Sequence, residues 1–230
     1  MLIKYTALAA LATMCLADFD NQPPIPGKQP VYTMGTPKQG IEILVVYDLI
    51  CQDSKEHHPE FKRFLDMNWT ALGNTTVREQ VQIRYSFLPL TFHHAVWVPH
   101  KLIPFLLDEC DFTDNCNMEE YIDFAFAHMD EILNAYGTSY NEIVGMWVSK
   151  VAMEYGYPVQ KIIDLFSSKT DKHDSEMRTR YMFKWLLGSK HQAGTPWAYV
   201  NGVLLETFPT KAEDWMDMLN SVYQSQWKPK

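Results

Sequence analysis

Positive charge is scarce in this sequence: 20 Lys and Arg stand against 28 Asp and Glu, a formal net charge of -8. That balance argues against a nucleic-acid footprint, which needs clustered basic side chains to displace counterions from phosphates. An acidic surface of this kind mainly favours solubility. Internal repeats are absent, and so is an HExxH metal-ligand pattern. Beyond the first residues no apolar run reads as a transmembrane span. Cysteine is also scarce, with four in 230 residues and no Cys-x-x-Cys pair among them. What is present, 47% hydrophobic and 21% charged residues, can bury a substantial core as one large domain or as a small domain carrying an insertion.

Met1 to Lys4 is a short positive start, Tyr5 to Leu16 is apolar, and Met14-Cys15-Leu16-Ala17 resembles a small-residue cleavage site. We therefore expect a signal peptide over 1–17 rather than a buried helix, because the apolar run is too short to span a bilayer and polar, proline-rich chain follows at once. Cleavage takes Cys15 away and leaves Cys51, Cys110 and Cys116, an odd number, so at least one thiol is unpaired in the monomer. Cys110 and Cys116 bracket the polar segment Asp111 to Asn115. An oxidising compartment favours their pairing if the backbone turns back there, leaving Cys51 free. Asn68-Trp69-Thr70 and Asn74-Thr75-Thr76 are N-glycosylation triplets in a polar connection. The expected location is the secretory pathway with no stable membrane anchor. The tail Trp227-Lys228-Pro229-Lys230 is not a KDEL-like signal, so secretion and an endoplasmic-reticulum or vacuolar lumen stay open.

Residues 18–40 hold five prolines and read as an extended arm, with a short strand at Val31 to Thr33. Ile41 to Tyr47 is a β-branched apolar run of strand length, nearly continuous in hydrophobicity, as a strand covered on both faces should be. A helical pattern follows from Ser54, with Phe61, Phe64, Leu65 and Trp69 on one face, and Pro59 should bend that helix rather than end it. Val81 to Leu88 alternates as a second strand, closing a β-α-β first half over 41–92. A helical insertion is expected over 93–191. Its helices span Ala95 to Cys110, Met118 to Tyr136, and Tyr140 to Tyr155, the last capped by Ser139 with Glu142 and stopped by Gly156. Another starts at Pro158 and buries Val159, Ile162, Ile163 and Phe166, and one more carries Met177, Tyr181, Trp185 and Leu186 toward Gly188. Over 192–230 the order is β-β-α: strands at Trp197 to Val200 and Val203 to Phe208 flank Asn201-Gly202, and Thr210 with Glu213 caps a final amphipathic helix. The fold class is α/β, with one central mixed sheet flanked by helices.

This order resembles the thioredoxin superfamily, and the helical block resembles its DsbA-type branch of disulfide oxidoreductases. The residues that carry the resemblance are Tyr47-Asp48, Cys51-Gln52-Asp53-Ser54, Pro59, and the stretch Gly194-Thr195-Pro196-Trp197-Ala198-Tyr199-Val200-Asn201-Gly202. It implies a thioredoxin-like fold from Ile41 onward and a cis proline at Pro196, with Thr195 and Pro196 beside Cys51 as the substrate-binding pair. Redox members of the branch usually carry a second cysteine where this chain has Ser54. Cys51 alone forms only a mixed disulfide that another thiol must resolve.

The expected catalytic residues are therefore Cys51 as nucleophile and Ser54 as a hydrogen-bond donor to its sulfur, at a helix N-terminus whose free amides suit an anion. His57 and His58 are candidates for added positive charge or a proton relay, while Asp48, Asp53 and Glu56 oppose it by like-charge repulsion. His93, His94 and His100 read as surface or packing residues rather than metal ligands, since adjacent histidines on a helix diverge by about 100 degrees. Neither a metal nor a cofactor is expected. The expected partners are cysteine-containing client proteins or glutathione, met by monothiol exchange or isomerisation. An inactive binding module or chaperone is the alternative, and a kappa-type glutathione transferase using Ser54 is a weaker one.

Overall fold

A computed structural model describes residues 27–190 and 193–225. The expected signal peptide and the start of the arm lie outside the described residues. The arm contributes strand β1 (Tyr32–Met34), one residue later than expected. It is followed by β2 (Glu42–Tyr47), helix α1 (Gln52–Asp66) and β3 (Gln82–Phe87). The helical insertion comprises α2 (Trp97–His100), α3 (Ile103–Phe112), α4 (Met118–Leu133), α5 (Tyr140–Tyr155), α6 (Val159–Ile163) and α7 (Ser175–Ser189). Strands β4 (Trp197–Val200) and β5 (Val203–Leu204) and helix α8 (Ala212–Ser225) close the chain.

The five strands form one mixed sheet in the order β1-β3-β2-β4-β5. β2 runs parallel to β3 and antiparallel to β4, and β1 and β5 add antiparallel edges. β2 is central, and its side chains divide by alternation. Ile43, Val45 and Tyr47 enter the main core with Phe61, Phe64 and Trp215, while Leu44 and Val46 enter a smaller cluster with Cys51, Leu90, Trp185 and Leu186. A strand buried on both faces is nearly all apolar for this reason. The mixed α/β sheet with a helical insert is the architecture that the resemblance implies.

Local chemistry explains most element ends. The Ser139–Glu142 capping box and the left-handed Gly156 bound α5 as expected. Asn201 and Gly202, with φ of 50° and 80°, make the hairpin between β4 and β5. Pro59 stays within α1.

Several expectations need correction. The stretch from Ala95 to Cys110 is two helices, because Pro104 has no N–H for the His100 carbonyl, which instead accepts Thr179 Oγ1. α1 ends at Asp66, so Trp69 is not on its face; it is buried beyond the helix, donating Nε1–H to Asn220. α4 stops at Leu133 and not Tyr136. Val159, at the first turn of α6, is exposed rather than buried. β5 has two residues, and Phe208 leaves the sheet to pack on His57 and Trp215. The start of α8 is capped from outside: Glu60 accepts the Ala212 N–H, and Glu213 turns to Arg63 instead of back to Thr210.

Cys110, in the last turn of α3, is disulfide-bonded to Cys116. The loop between them also holds the arm, through the Lys28–Asp111 ion pair and a contact of Cys116 Sγ with Tyr32 Oη. After β1 the chain turns at Gly35, whose φ is 67° and where an added Cβ would stand 2.9 Å from the Val81 carbonyl oxygen. A side chain there meets both a left-handed backbone and a backbone carbonyl at less than van der Waals distance. We expect Gly35→Ala to cost about 1–3 kcal/mol of stability, read as a lowered urea midpoint. An unchanged midpoint would mean that the arm does not contribute to the folded core.

Candidate functional site

Cys51 is the N-cap of α1, with extended backbone angles that turn the chain from β2 into the helix. The turn is held from within. Asp48 accepts the Cys51 N–H on its carbonyl at 3.1 Å and the Ile50 N–H on Oδ1 at 3.0 Å, and its own N–H donates to Ser54 Oγ at 3.4 Å. An aspartate that accepts the amide two residues on is a local turn-former. Cys51 is 6% exposed, and its sulfur donates toward the Thr195 carbonyl at 3.5 Å. The Thr195–Pro196 peptide is cis. The structure therefore brings together Cys51, Ser54, Thr195 and Pro196. Ser54 is fully buried, and among the described residues its oxygen is engaged with the Asp48 amide rather than with the sulfur. A cleft of about 280 Å³ opens beside Pro196, lined by Asp53, Glu56, His57, Phe208, Thr210 and Lys211.

One expectation about charge changes. His57 adds no positive charge and relays no proton to Cys51: its Nε2 accepts Trp215 Nε1–H at 2.9 Å, so its proton sits on Nδ1, 2.7 Å from Tyr47 Oη. Burial, with a smaller push from His58, lowers its pKa to about 3. His57 is thus a neutral pin joining β2, α1 and α8. His58 is also buried, with Nε2 3.1 Å from Asp123 on α4. Asp48 is a fully buried acceptor that also takes the Leu90 N–H at 3.1 Å and pairs with His93 Nδ1 at 2.7 Å.

His100 is a packing residue. Its Nε2 accepts the Leu49 N–H and its Nδ1 donates to the Val96 carbonyl, a neutral tautomer in keeping with a pKa lowered by burial. The 3.6 Å approach of that Nε2 to Asp48 Oδ1 is therefore not an ion pair. The His94 ring packs tilted against Tyr136, centroids 5.0 Å apart. Among the described residues no group of three or more His, Cys, Asp or Glu is placed to hold a metal ion. The tie between Asp48 and His93 was missed in the sequence because it joins residues 45 positions apart. Its one local trace is an Asp two residues before Ile50.

Fold and site together define a thioredoxin-like fold with a cysteine at a helix N-cap position beside a cis proline, the fold of DsbA-like thiol–disulfide oxidoreductases. Solved structures of similar architecture include α-DsbA1 of Wolbachia pipientis, at 13% identity and a TM-score of 0.58, covering 87% of this chain and 93% of that one. A protein-disulfide isomerase from Novosphingobium aromaticivorans matches at 8% identity and a TM-score of 0.61, covering 86% and 99%. DsbA of Chlamydia trachomatis matches at 17% and 0.51, covering 89% and 97%. At these identities the likeness is one of fold. No protein-family model matches the chain, and no curated protein matches it in sequence.

The His57 pin has a pH signature. Its folded pKa of about 3 lies below the ordinary value of 6.5, so the unfolded chain binds the extra proton between them. Stability is full above about pH 6.5 and falls by about 1.4 kcal/mol per unit as pH drops toward 3. We expect His57→Gln to be less stable at pH 7, by about 1–3 kcal/mol, yet to show a flatter decline between pH 6.5 and 4 in urea titrations. Parallel curves for both proteins would remove His57 as a source of acid sensitivity.

Proposed function

We propose that this chain is a monothiol thiol–disulfide exchange protein of the secretory pathway, acting on cysteine-containing client proteins or on glutathione. The observation that carries the reading is the setting of Cys51. It is the free cysteine among the described residues, it stands at the N-cap position of α1, its sulfur lies against the Thr195 carbonyl, and Ser54 stands one turn on in place of a second sulfur.

In the exchange the Cys51 thiolate attacks one sulfur of a client disulfide. A Cys51–client S–S bond forms as the client S–S bond breaks, and the displaced client sulfur leaves as a thiolate. A second thiolate, from glutathione or another client cysteine, then attacks the mixed disulfide and releases Cys51. No electrons are gained or lost over the cycle, which is the chemistry available to one sulfur. The free amides of the first turn of α1 face the negative sulfur, Ser54 holds the turn and donates to the thiolate when it forms, and the Thr195 main chain pairs with an extended client segment. The Cys110–Cys116 disulfide supports an oxidising compartment. Asn68 and Asn74 are both exposed at the far end of α1, about 22 Å along its 15 residues from Cys51, where glycans leave the thiol clear.

The 6% exposure of Cys51 favours one other reading, a binding module that uses the same cleft without thiol chemistry. Incubation with glutathione disulfide followed by peptide mass mapping separates the two. We expect a glutathione adduct on Cys51, lost in Cys51→Ala, and a Ser54→Cys variant that resolves the adduct into an internal disulfide. No adduct on Cys51, with client binding intact in Cys51→Ala, would overturn exchange. For the location, we expect protein from a eukaryotic secretory host to lose mass on N-glycosidase treatment in steps removed by Asn68→Gln and Asn74→Gln. Unmodified asparagines in that host would count against it.

A further inference from the structure

Asp48 is completely buried, an unfavourable place for a carboxylate unless donors meet its lone pairs. Three donors do, and they come from two segments far apart in sequence. Ile50 N–H, from the Cys51 turn, reaches Oδ1 at 3.0 Å. Leu90 N–H at 3.1 Å and His93 Nδ1 at 2.7 Å, both from the loop after β3, reach Oδ2. His100 approaches Oδ1 but cannot donate, since that nitrogen already accepts the Leu49 N–H. Each oxygen thus holds a different segment. Leu90 also shares the small apolar cluster with Cys51. His93, 21% exposed at its side chain, is the end of this arrangement that solvent reaches.

We infer that Asp48 and His93 are positioning residues for Cys51: the carboxylate clamps the Cys51 turn to the loop after β3, and His93 closes the clamp from the solvent side. The inference rests on the thiol-exchange reading for its purpose, but the clamp acts on the sulfur whether or not a client reacts there. Hydrogen bonds to a carboxylate are stronger than those between neutral groups, and three on one buried side chain fix both segments together. An amide at position 48 would set a donor against the Leu90 N–H or the Ile50 N–H, opening one arm of the clamp. An asparagine at position 93 would keep the clamp closed, because its Nδ2 stands where imidazole Nδ1 stands.

The test compares Asp48→Asn, His93→Leu and His93→Asn in the full chain, by amide hydrogen exchange and by alkylation of Cys51 with iodoacetamide. We expect Asp48→Asn and His93→Leu to speed exchange at the Ile50 and Leu90 amides by about tenfold or more, with Val45 and Tyr85 unchanged in the sheet. Cys51 should alkylate about fivefold faster as its sulfur is released from the Thr195 carbonyl, and His93→Asn should match the parent in both measurements. A uniform rise at all amides, a His93→Asn variant as loose as His93→Leu, or no change in His93→Leu would each overturn the inference. If Asp48→Asn does not fold, the two His93 variants decide alone. A parent protein that forms no adduct with glutathione disulfide would end the exchange reading and leave these measurements interpretable.

Discussion

At the end of β2 the chain must leave a strand buried on both faces and begin a helix without losing its amide partners, and the side chain that makes this possible is Asp48. A buried N–H without an acceptor costs about 1–3 kcal/mol, and the turn offers several. The Asp48 carbonyl and carboxylate between them accept the amides of Cys51 and Ile50, and the carboxylate takes that of Leu90 as well. Cys51 is consequently delivered to the first turn of α1 at a fixed height over the sheet. Ser54 supports the same turn from inside the helix, accepting the Asp48 amide. A serine suits this duty better than a cysteine, whose sulfur is the weaker acceptor.

The other side of α1 is secured by a second polar node in an otherwise apolar core. Tyr47, His57 and Trp215 are hydrogen-bonded in a row, each large and buried, and Phe61 and Phe208 pack on the imidazole. Because the row links the last residue of β2 to α1 and α8, it fixes the helix axis just as Asp48 fixes the helix start. Arg63 adds an outer brace, bonded to Glu60 and Glu213, and Glu60 in turn caps Ala212. That brace is exposed and screened, and so contributes little by itself. Position therefore comes from two buried nodes, and the thiol lies between them and the Thr195 loop.

The sequence made the sheet and most helices legible because their signals are local. The continuous apolar run at Ile41 to Tyr47, the Ser139–Glu142 cap and the Asn201-Gly202 turn each encode their structure within a few residues. The break after His100 was legible too, since Pro104 has no N–H to give the His100 carbonyl. Other errors arose where a distant partner decided the outcome. α8 begins where Glu60, 152 residues away, accepts its first amide. In the site, Cys51, Thr195 and Pro196 were legible from motif spacing and resemblance, but the burial of His57 and Asp48 was not. Both look like charges in a polar segment, and only the packing of α8 and of the loop after β3 turns them into neutral or satisfied core groups.

The consequence for chemistry is a sulfur that is held in place but hardly exposed. In the proposed exchange, Cys51, 6% exposed and donating its thiol to a main-chain carbonyl, meets a disulfide only if the incoming chain takes over contacts on the Thr195 side, where the carbonyl faces the sulfur. An extended peptide does so by main-chain hydrogen bonds, which are indifferent to its side chains. In the exchange we propose, selection among clients falls to the cleft beside Pro196, where Asp53 and Glu56 stand with Lys211 and Phe208. In a one-sulfur site this order of events has a purpose. In the proposed exchange, a mixed disulfide on Cys51, the free cysteine among the described residues, persists until another thiol arrives, so admission to the sulfur is the step at which wasteful adducts are avoided.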